Sequence, residues 1–219
     1  MAFISIPTEQ TTAVTDGILA IIALVAAIYL KRIGTRKPWK TSVWVWAFSL
    51  LSFASLLGAI AHGFTMSDEV NRLLWHPLYL ALGLAVSLIV VGSVYDTWDA
   101  VTARRILPIM VAAGVGFFAV TLLWSDSFIV FVLYETAALS FALSGYFRLY
   151  WKRRTGGELR MGLGILITLI AAGIQATGNI HINLIRQFDH NGVFHLLQMV
   201  GIIFLVAGLR RDMLATVGK

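Results

Sequence analysis

The sequence predicts an all-α membrane protein with seven transmembrane helices, its N-terminus outside the cell and its C-terminus in the cytoplasm. Two properties of the chain predict a membrane protein. Apolar residues make up 58% of its 219 residues and charged residues only 13%, whereas soluble domains carry about 25% charged residues. Seven apolar runs are also long enough to cross a bilayer as helices. A third property, the distribution of lysine and arginine, predicts the orientation.

The seven apolar runs follow one another at short intervals along the whole chain. Short connections make neighbouring helices antiparallel. No linker is visible, so residues 1–219 are predicted to form a single domain. No internal repeat is visible either, which argues against a transporter built from two inverted halves. The predicted spans are Ala13–Leu30, Ser42–Phe64, Leu74–Tyr95, Ile106–Trp124, Ser127–Tyr150, Leu159–Ile180 and Val193–Leu209.

Basic residues are concentrated on one side of the predicted membrane. The other side carries only Arg72 and Arg186, so the positive-inside rule gives the orientation above. The net charge of +6 therefore reflects topology and does not indicate a nucleic-acid partner. Basic inner loops and short exposed segments favour a bacterial inner membrane. Every lysine is predicted to lie outside the spans, which argues against a retinal photoreceptor. The basic residues predicted to be cytoplasmic are Lys31, Arg32, Arg36, Lys37, Lys40, Arg104, Arg105, Arg148, Lys152, Arg153, Arg154, Arg160, Arg210, Arg211 and Lys219.

Polar side chains are concentrated at the opposite, outer side. All five histidines fall at the outer ends of the predicted helices or in outer loops, and other polar residues occupy the outer halves of the spans. The inner halves contain little that is comparable. Polar groups in a membrane usually face the interior of a helix bundle, so this one-sided pattern predicts a polar cavity that opens outward. The residues concerned are His62, His76, His181, His190, His195, Asp16, Glu135, Gln175, Asn179 and Gln198.

Three histidines are candidate ligands for zinc. His62 ends the second helix, whereas His190 and His195 flank the start of the seventh. Zinc hydrolases commonly use three protein ligands and a water molecule, and imidazole suits transition metals. The chain has no cysteine, so thiolate ligands are excluded. His62, His190 and His195 are therefore predicted to hold zinc.

The spacing of His190 and His195 sets a condition on this site. Five residues on a continuous helix place two side chains about 140° apart, at 100° per residue. The two histidines converge only if the helix begins after His190, with Asp189 or Asn191 as its N-cap. Asn191 lies four residues before His195 and is itself a candidate to face the site. The positions of His76 and His181 favour solvated or hydrogen-bonded side chains over ligands. With Asn179 and Gln198 they are nevertheless candidates to support the site or bind a ligand.

Glu135 is the deepest carboxylate in the predicted spans. It lies about nine residues into the fifth helix, or roughly 13 Å below the outer boundary. An isolated charged carboxylate at that depth is strongly disfavoured, so Glu135 is predicted to be protonated or paired. A proton relay, a substrate contact and a carboxyl group hydrogen-bonded between helices all fit this position.

Two short motifs resemble a known superfamily, the alkaline ceramidases and the progestin and adiponectin receptors. Ala61-His62-Gly63-Phe64 resembles its second-helix histidine motif, and Phe194-His195 with His190 upstream resembles its seventh-helix motif. The family spacing in the seventh helix is four, whereas here it is five. The resemblance implies a seven-helix fold that hydrolyses a sphingolipid-like amide within the membrane, with zinc held by the three histidines.

The resemblance also implies two further site residues. The family has a serine one turn before the second-helix histidine, where this chain has Gly58; Ser55, two turns before His62, is the nearest substitute. Asp68 is the counterpart of the aspartate near the third helix. Ser55 would then help to hold the oxyanion, and Asp68, Asp189 or Glu135 would transfer the proton.

The sequence thus predicts a zinc-dependent intramembrane hydrolase of a lipid amide or ester, with an outward-facing site and membrane lipids as its surroundings. Two alternatives stay open. The same cavity would serve a protein that binds or senses a lipid or a small ligand without chemistry, and the unusual spacing in the seventh helix favours this alternative. The second alternative is a proton-coupled transporter that uses Glu135, although the inner half lacks polar residues for an exit path.

Overall fold

The computed structural model describes residues 2–123, 127–183 and 185–214, and the predicted seven-helix architecture is confirmed in them. Each helix is long and apolar enough to cross a membrane, as in a multi-pass integral membrane protein. Trp124, predicted to end the fourth span, and Lys219 of the basic tail lie outside the described residues. The helices are α1 (Pro7–Ile33), α2 (Pro38–Gly63), α3 (Asp68–Thr97), α4 (Ala100–Leu123), α5 (Ser127–Arg153), α6 (Gly156–Thr177) and α7 (His190–Leu214).

Most of the helices extend beyond the apolar runs that predicted them, because their ends carry helix-starting signals. Proline at the first helical position suits the beginning of α1 and α2. Ser67 caps α3 by accepting a hydrogen bond from the Val70 N–H at 3.4 Å. Asp99 caps α4, and hydrogen bonds from the N–H and the hydroxyl of Thr102 lower the pKa of its carboxyl group.

One helix, α6, starts and ends three residues earlier than predicted. The helix α6 ends at Thr177 because Gly178 adopts a left-handed backbone conformation with φ of 66°, which is a common helix terminator. The chain then forms a short hairpin of β3 (Ile182–Asn183) and β4 (Gln187–Phe188). A second two-residue pair joins β1 (Ala2–Phe3) to β2 (Phe64–Thr65) and ties the N-terminal segment to the end of α2.

Six of the seven helices form a closed ring. Around it, neighbours pack in the order α1, α2, α3, α5, α6 and α7, and α7 returns to α1. The remaining helix, α4, packs on the outside, mainly against α3 and much less against α5. Glycines permit the closest approach between α6 and α7: a Cβ atom at Gly164 would lie 2.9 Å from the carbonyl oxygen of Gly201. We call the end where α2 ends and α7 begins the histidine end, and the opposite end the lysine end.

A buried ion network at the lysine end corrects one expectation. Lys40 was predicted to lie outside the spans, and polar groups were expected to be sparse there. Instead Lys40 lies inside α2 with 1% of its side chain exposed; it forms ion pairs with Asp96 of α3 and, at 2.7 Å, with Asp212 of α7. Tyr146 of α5 donates a hydrogen bond to Asp96 at 2.8 Å. The helices continue past their apolar runs, so flanking charged residues meet inside the bundle.

Candidate functional site

The ring encloses a long cavity. Its volume is about 370 Å³, within the usual range of small-molecule sites. All six helices of the ring line it, and no described residue of α4 does. On α2 the lining runs from Trp44 to His62, a rise of about 27 Å at 1.5 Å per residue. The cavity therefore follows the axis of the bundle for most of its length.

The two parts of the cavity differ in polarity. Toward the lysine end its lining is almost entirely apolar and includes Phe48, Ile89 and Leu205. Toward the histidine end it includes carboxylate, imidazole and amide groups. Such a lining matches a molecule with an apolar tail and a polar group. The polar residues that line the cavity are Asp16, Ser55, His62, Glu135, Thr168, Gln175, His190, Asn191, His195 and Gln198.

The centre of the polar part is a pair between α1 and α7. The Nε2 atom of His195 lies 3.2 Å from Oδ1 of Asp16, and its Nδ1 atom lies 3.0 Å from the Thr15 hydroxyl oxygen. Asp16 is only 5% exposed and His195 6%, so both side chains are largely shielded from bulk solvent. Both nitrogens of His195 therefore already face groups of the protein.

Gly58 makes room for this pair. A Cβ atom at Gly58 would lie 2.5 Å from Oδ2 of Asp16, too close for any side chain. The superfamily resemblance implies a serine at this position, but here the carboxyl group of Asp16 on α1 occupies the space that a serine side chain would need. Ser55, the proposed substitute, lies one turn deeper, is buried and lines the cavity.

His62 has a different partner. Its Nδ1 atom lies 2.7 Å from Oε2 of Glu9 on α1, and its ring packs edge-on against Trp75 of α3 with 5.7 Å between ring centroids. The sequence analysis did not single out Glu9. It lies four residues before the first predicted span, and only the extension of α1 back to Pro7 brings it beside His62.

The start of α7 is fixed by Asp189, one of the two predicted N-caps. Its Oδ1 atom accepts hydrogen bonds from the Gly192 N–H at 2.9 Å and from the Thr12 hydroxyl at 3.0 Å, so Asp189 also joins α7 to α1. The helix begins at His190 rather than after it. Asn191 accepts a hydrogen bond from Gln175 of α6 at 3.0 Å.

The structure brings some predicted site residues together and separates others. Ser55, His62, Glu135, His190, Asn191, His195 and Gln198 all line the one cavity. Asp68 lies at the exposed start of α3, and Asn179 and His181 are exposed beyond the end of α6. His76 packs against Phe118 of α4, with 6.4 Å between ring centroids. These four do not line the cavity, and neither does Asp189.

The three predicted zinc ligands do not form a metal site in this arrangement. Among residues 2–123, 127–183 and 185–214, no group of three histidine, aspartate or glutamate side chains is placed to hold a metal ion. Both nitrogens of His195 are engaged by Thr15 and Asp16, and Nδ1 of His62 is engaged by Glu9. A zinc ion would have to displace one of these contacts.

Unpaired polar atoms mark the same cavity. Within the described part of the chain, four buried side-chain nitrogen or oxygen atoms have no hydrogen-bond partner: Nε1 of Trp44, Oε2 of Glu135, Nδ1 of His190 and Oε1 of Gln198. All four residues line the cavity. Buried polar groups are normally paired, so their concentration here makes the cavity the candidate functional site.

Comparison with curated proteins and with solved structures finds no match. Comparison with protein families does find one: residues 11–214 match the Family of unknown function DUF6962. The match extends from the first turns of α1 to the last described residue of α7 and so includes every helix of the ring. The chain therefore belongs to the DUF6962 family.

Proposed function

We propose that this protein binds an amphipathic, lipid-like molecule inside its helix bundle. The apolar chain of the ligand would occupy the part of the cavity near the lysine end, and its polar group would face the residues near the histidine end. By the positive-inside rule the histidine end faces outward, so the ligand enters from the outer side of a bacterial plasma membrane.

The unpaired atoms of the cavity lining carry this proposal. Leaving a buried polar group without a partner costs about 1–3 kcal/mol, and three such atoms, on Glu135, His190 and Gln198, belong to the polar lining of one cavity. A ligand with hydroxyl, amide or amine groups would supply their partners, and its chain would fill the apolar remainder. A wholly polar ligand would leave the apolar part of the lining unmatched. A wholly apolar ligand would leave the polar part unmatched.

Fluorescence quenching tests the proposal, because Trp44 lines the apolar part of the cavity. Undecanol carrying bromine on its last carbon quenches tryptophan on contact. We expect it to quench the purified protein in nonionic detergent at low probe concentration, and we expect the Trp44→Phe variant to lack this component. Equal quenching of the two proteins would contradict the proposal, since the brominated end of the probe would then not be reaching the apolar part of the cavity beside Trp44.

A matched pair of substitutions locates the probe. Ala54→Leu adds bulk to the cavity lining, and Ala113→Leu adds the same bulk to the exposed face of α4. We expect Ala54→Leu to weaken binding by about tenfold or more, equivalent to about 1.4 kcal/mol, because overfilling a packed space costs about 1–3 kcal/mol. Ala113→Leu should leave binding unchanged.

The predicted lipid hydrolase is the second candidate. One observation favours it: Ser55, His62, Glu135, His190 and His195 line a single cavity. A bound lipid amide or ester would therefore lie beside a hydroxyl, a carboxyl and several imidazole groups, which are the usual groups of acid–base catalysis. The residues as arranged do not fit zinc, so the metal-dependent form of this candidate requires His195 to leave Asp16 or Thr15.

Elemental analysis tests the metal-dependent form. If the protein is a zinc enzyme that uses His195 as a ligand, the purified wild type should contain about one zinc ion per chain. The His195→Ala variant should contain none. Asp68→Asn serves as a control, because Asp68 lies at the exposed start of α3 and away from the cavity. Equal zinc contents in the wild type and in the His195→Ala variant would remove zinc held by His195 from consideration.

A further inference from the structure

We propose that the ligand is a lipophilic amine whose ammonium group pairs with Glu135. The inference rests on the proposed binding function and specifies the chemical class of the ligand. Three features support it: the charged residues of the cavity lining, the aromatic residues that line the cavity with Glu135, and the apolar lining between Glu135 and Trp44.

Glu135 is a buried carboxyl group of α5 that lines the cavity. It is 6% exposed, and no described residue hydrogen-bonds to its Oε2 atom. No ion pair joins it to a residue in the described part of the chain. Burying a carboxylate without a compensating charge is strongly unfavourable, so a bound cation would stabilise Glu135 in its charged form.

The lining offers no cation that would take this place. None of the lining residues in the described part of the chain is a lysine or an arginine, although the protein has 17 of them. Two of the lining histidines face carboxylates, His62 that of Glu9 and His195 that of Asp16. The third, His190, forms no ion pair among the described residues. The lining therefore holds no fixed positive charge for an anionic head group and no ion-pair partner for a charged Glu135.

The surroundings of Glu135 suit an organic ammonium ion better than a metal ion. Phe131 lies one turn before Glu135 on α5, and Trp75 and Tyr79 of α3 also line the cavity. Aromatic faces attract ammonium groups. A hard metal ion instead needs several oxygen ligands, and among the described residues no cluster of three or more potential metal ligands is present. The apolar lining between Glu135 and Trp44 accommodates the alkyl chain of the amine.

The experiment compares three probes that share one chain. Undecylamine, undecanol and undecanoate, each with bromine on the last carbon, are titrated into the protein in nonionic detergent at neutral pH, and the quenching that requires Trp44 is measured. We expect the amine to bind at least about tenfold more tightly than the alcohol, and the carboxylate to bind most weakly. This comparison needs no variant at Glu135, so it holds even if substitution there impairs folding.

A variant assigns the preference to its residue. Glu135→Gln keeps the shape and the hydrogen-bonding capacity of the side chain but removes its charge. We expect it to lose about tenfold in affinity for the amine and to keep its affinity for the alcohol. Glu69→Gln, at the exposed start of α3, should change neither.

The outcomes separate the two proposals. If amine and alcohol bind equally well, or if Glu135→Gln keeps the preference for the amine, the inference is overturned and the binding function stands. Tighter binding of the carboxylate has the same meaning. If none of the three probes produces quenching that depends on Trp44, the proposed binding function fails as well.

Discussion

Replacing Lys40 by alanine is expected to lower the free energy of unfolding by about 3–5 kcal/mol. The side chain of Lys40 is 1% exposed and faces both Asp96 and Asp212. Its removal leaves the Asp96 carboxylate, which is itself only 13% exposed, without a cation inside the bundle. Breaking one side of a buried ion pair costs far more than the net contribution of the intact pair, because the remaining charge keeps its desolvation cost.

Lys37 provides a matched control for this prediction. It also pairs with Asp212, at 2.8 Å, but both side chains are about a third exposed. Exposed pairs contribute at most about 1 kcal/mol, so Lys37→Ala should have a small effect. Unfolding of the purified proteins in detergent, by heat or by denaturant, measures both. Similar losses in the two variants would show that the burial of Lys40 is not what makes its ion pairs important.

Replacing His195 by alanine is expected to cost about 3 kcal/mol or more of unfolding free energy. The imidazole ring joins α7 to α1 through Thr15 and Asp16, and its removal opens a cavity and leaves buried polar atoms without partners. His181→Ala is the control, because His181 is exposed, and we expect a change within about 0.5 kcal/mol.

A double-mutant cycle separates the pair from its parts. The variant that combines Asp16→Ala with His195→Ala should cost less than the sum of the single changes, by about 0.5–3 kcal/mol. The cycle is followed by the same unfolding measurements. Strict additivity would show that Asp16 and His195 stabilise the bundle independently, and the contact between α1 and α7 would then rest on packing alone.

Hydropathy located all seven helices because a chain in lipid must pair its backbone groups within each span. It misplaced helix ends, since residues such as Pro7, Ser67 and Asp68 continue or cap a helix without being apolar. The termination of α6 before Gly178 was also missed, because a hydropathy profile does not register the left-handed conformation of one glycine.

The candidate site was predicted in part. Its histidines and Glu135 were identified because polar residues within apolar runs are conspicuous. Their partners were not, because Glu9 and Thr15 meet His62 and His195 only when the ring closes, over separations of 53 and 180 residues. Lys40 was misjudged because a basic residue beside a span is ordinarily a topology signal, and only the packing of four helices shows that it is buried.

Closure of the ring by α1 and α7 has a consequence for biosynthesis. The chain is made from its N-terminus, so Asp16 is inserted long before His195 has been translated. While the five intervening helices are inserted, the carboxyl group of Asp16 lacks its imidazole partner. The ring is also still open between α1 and α6. Insertion of α7 therefore both pairs Asp16 with His195 and closes the ring, which couples synthesis of this helix to assembly of the candidate site.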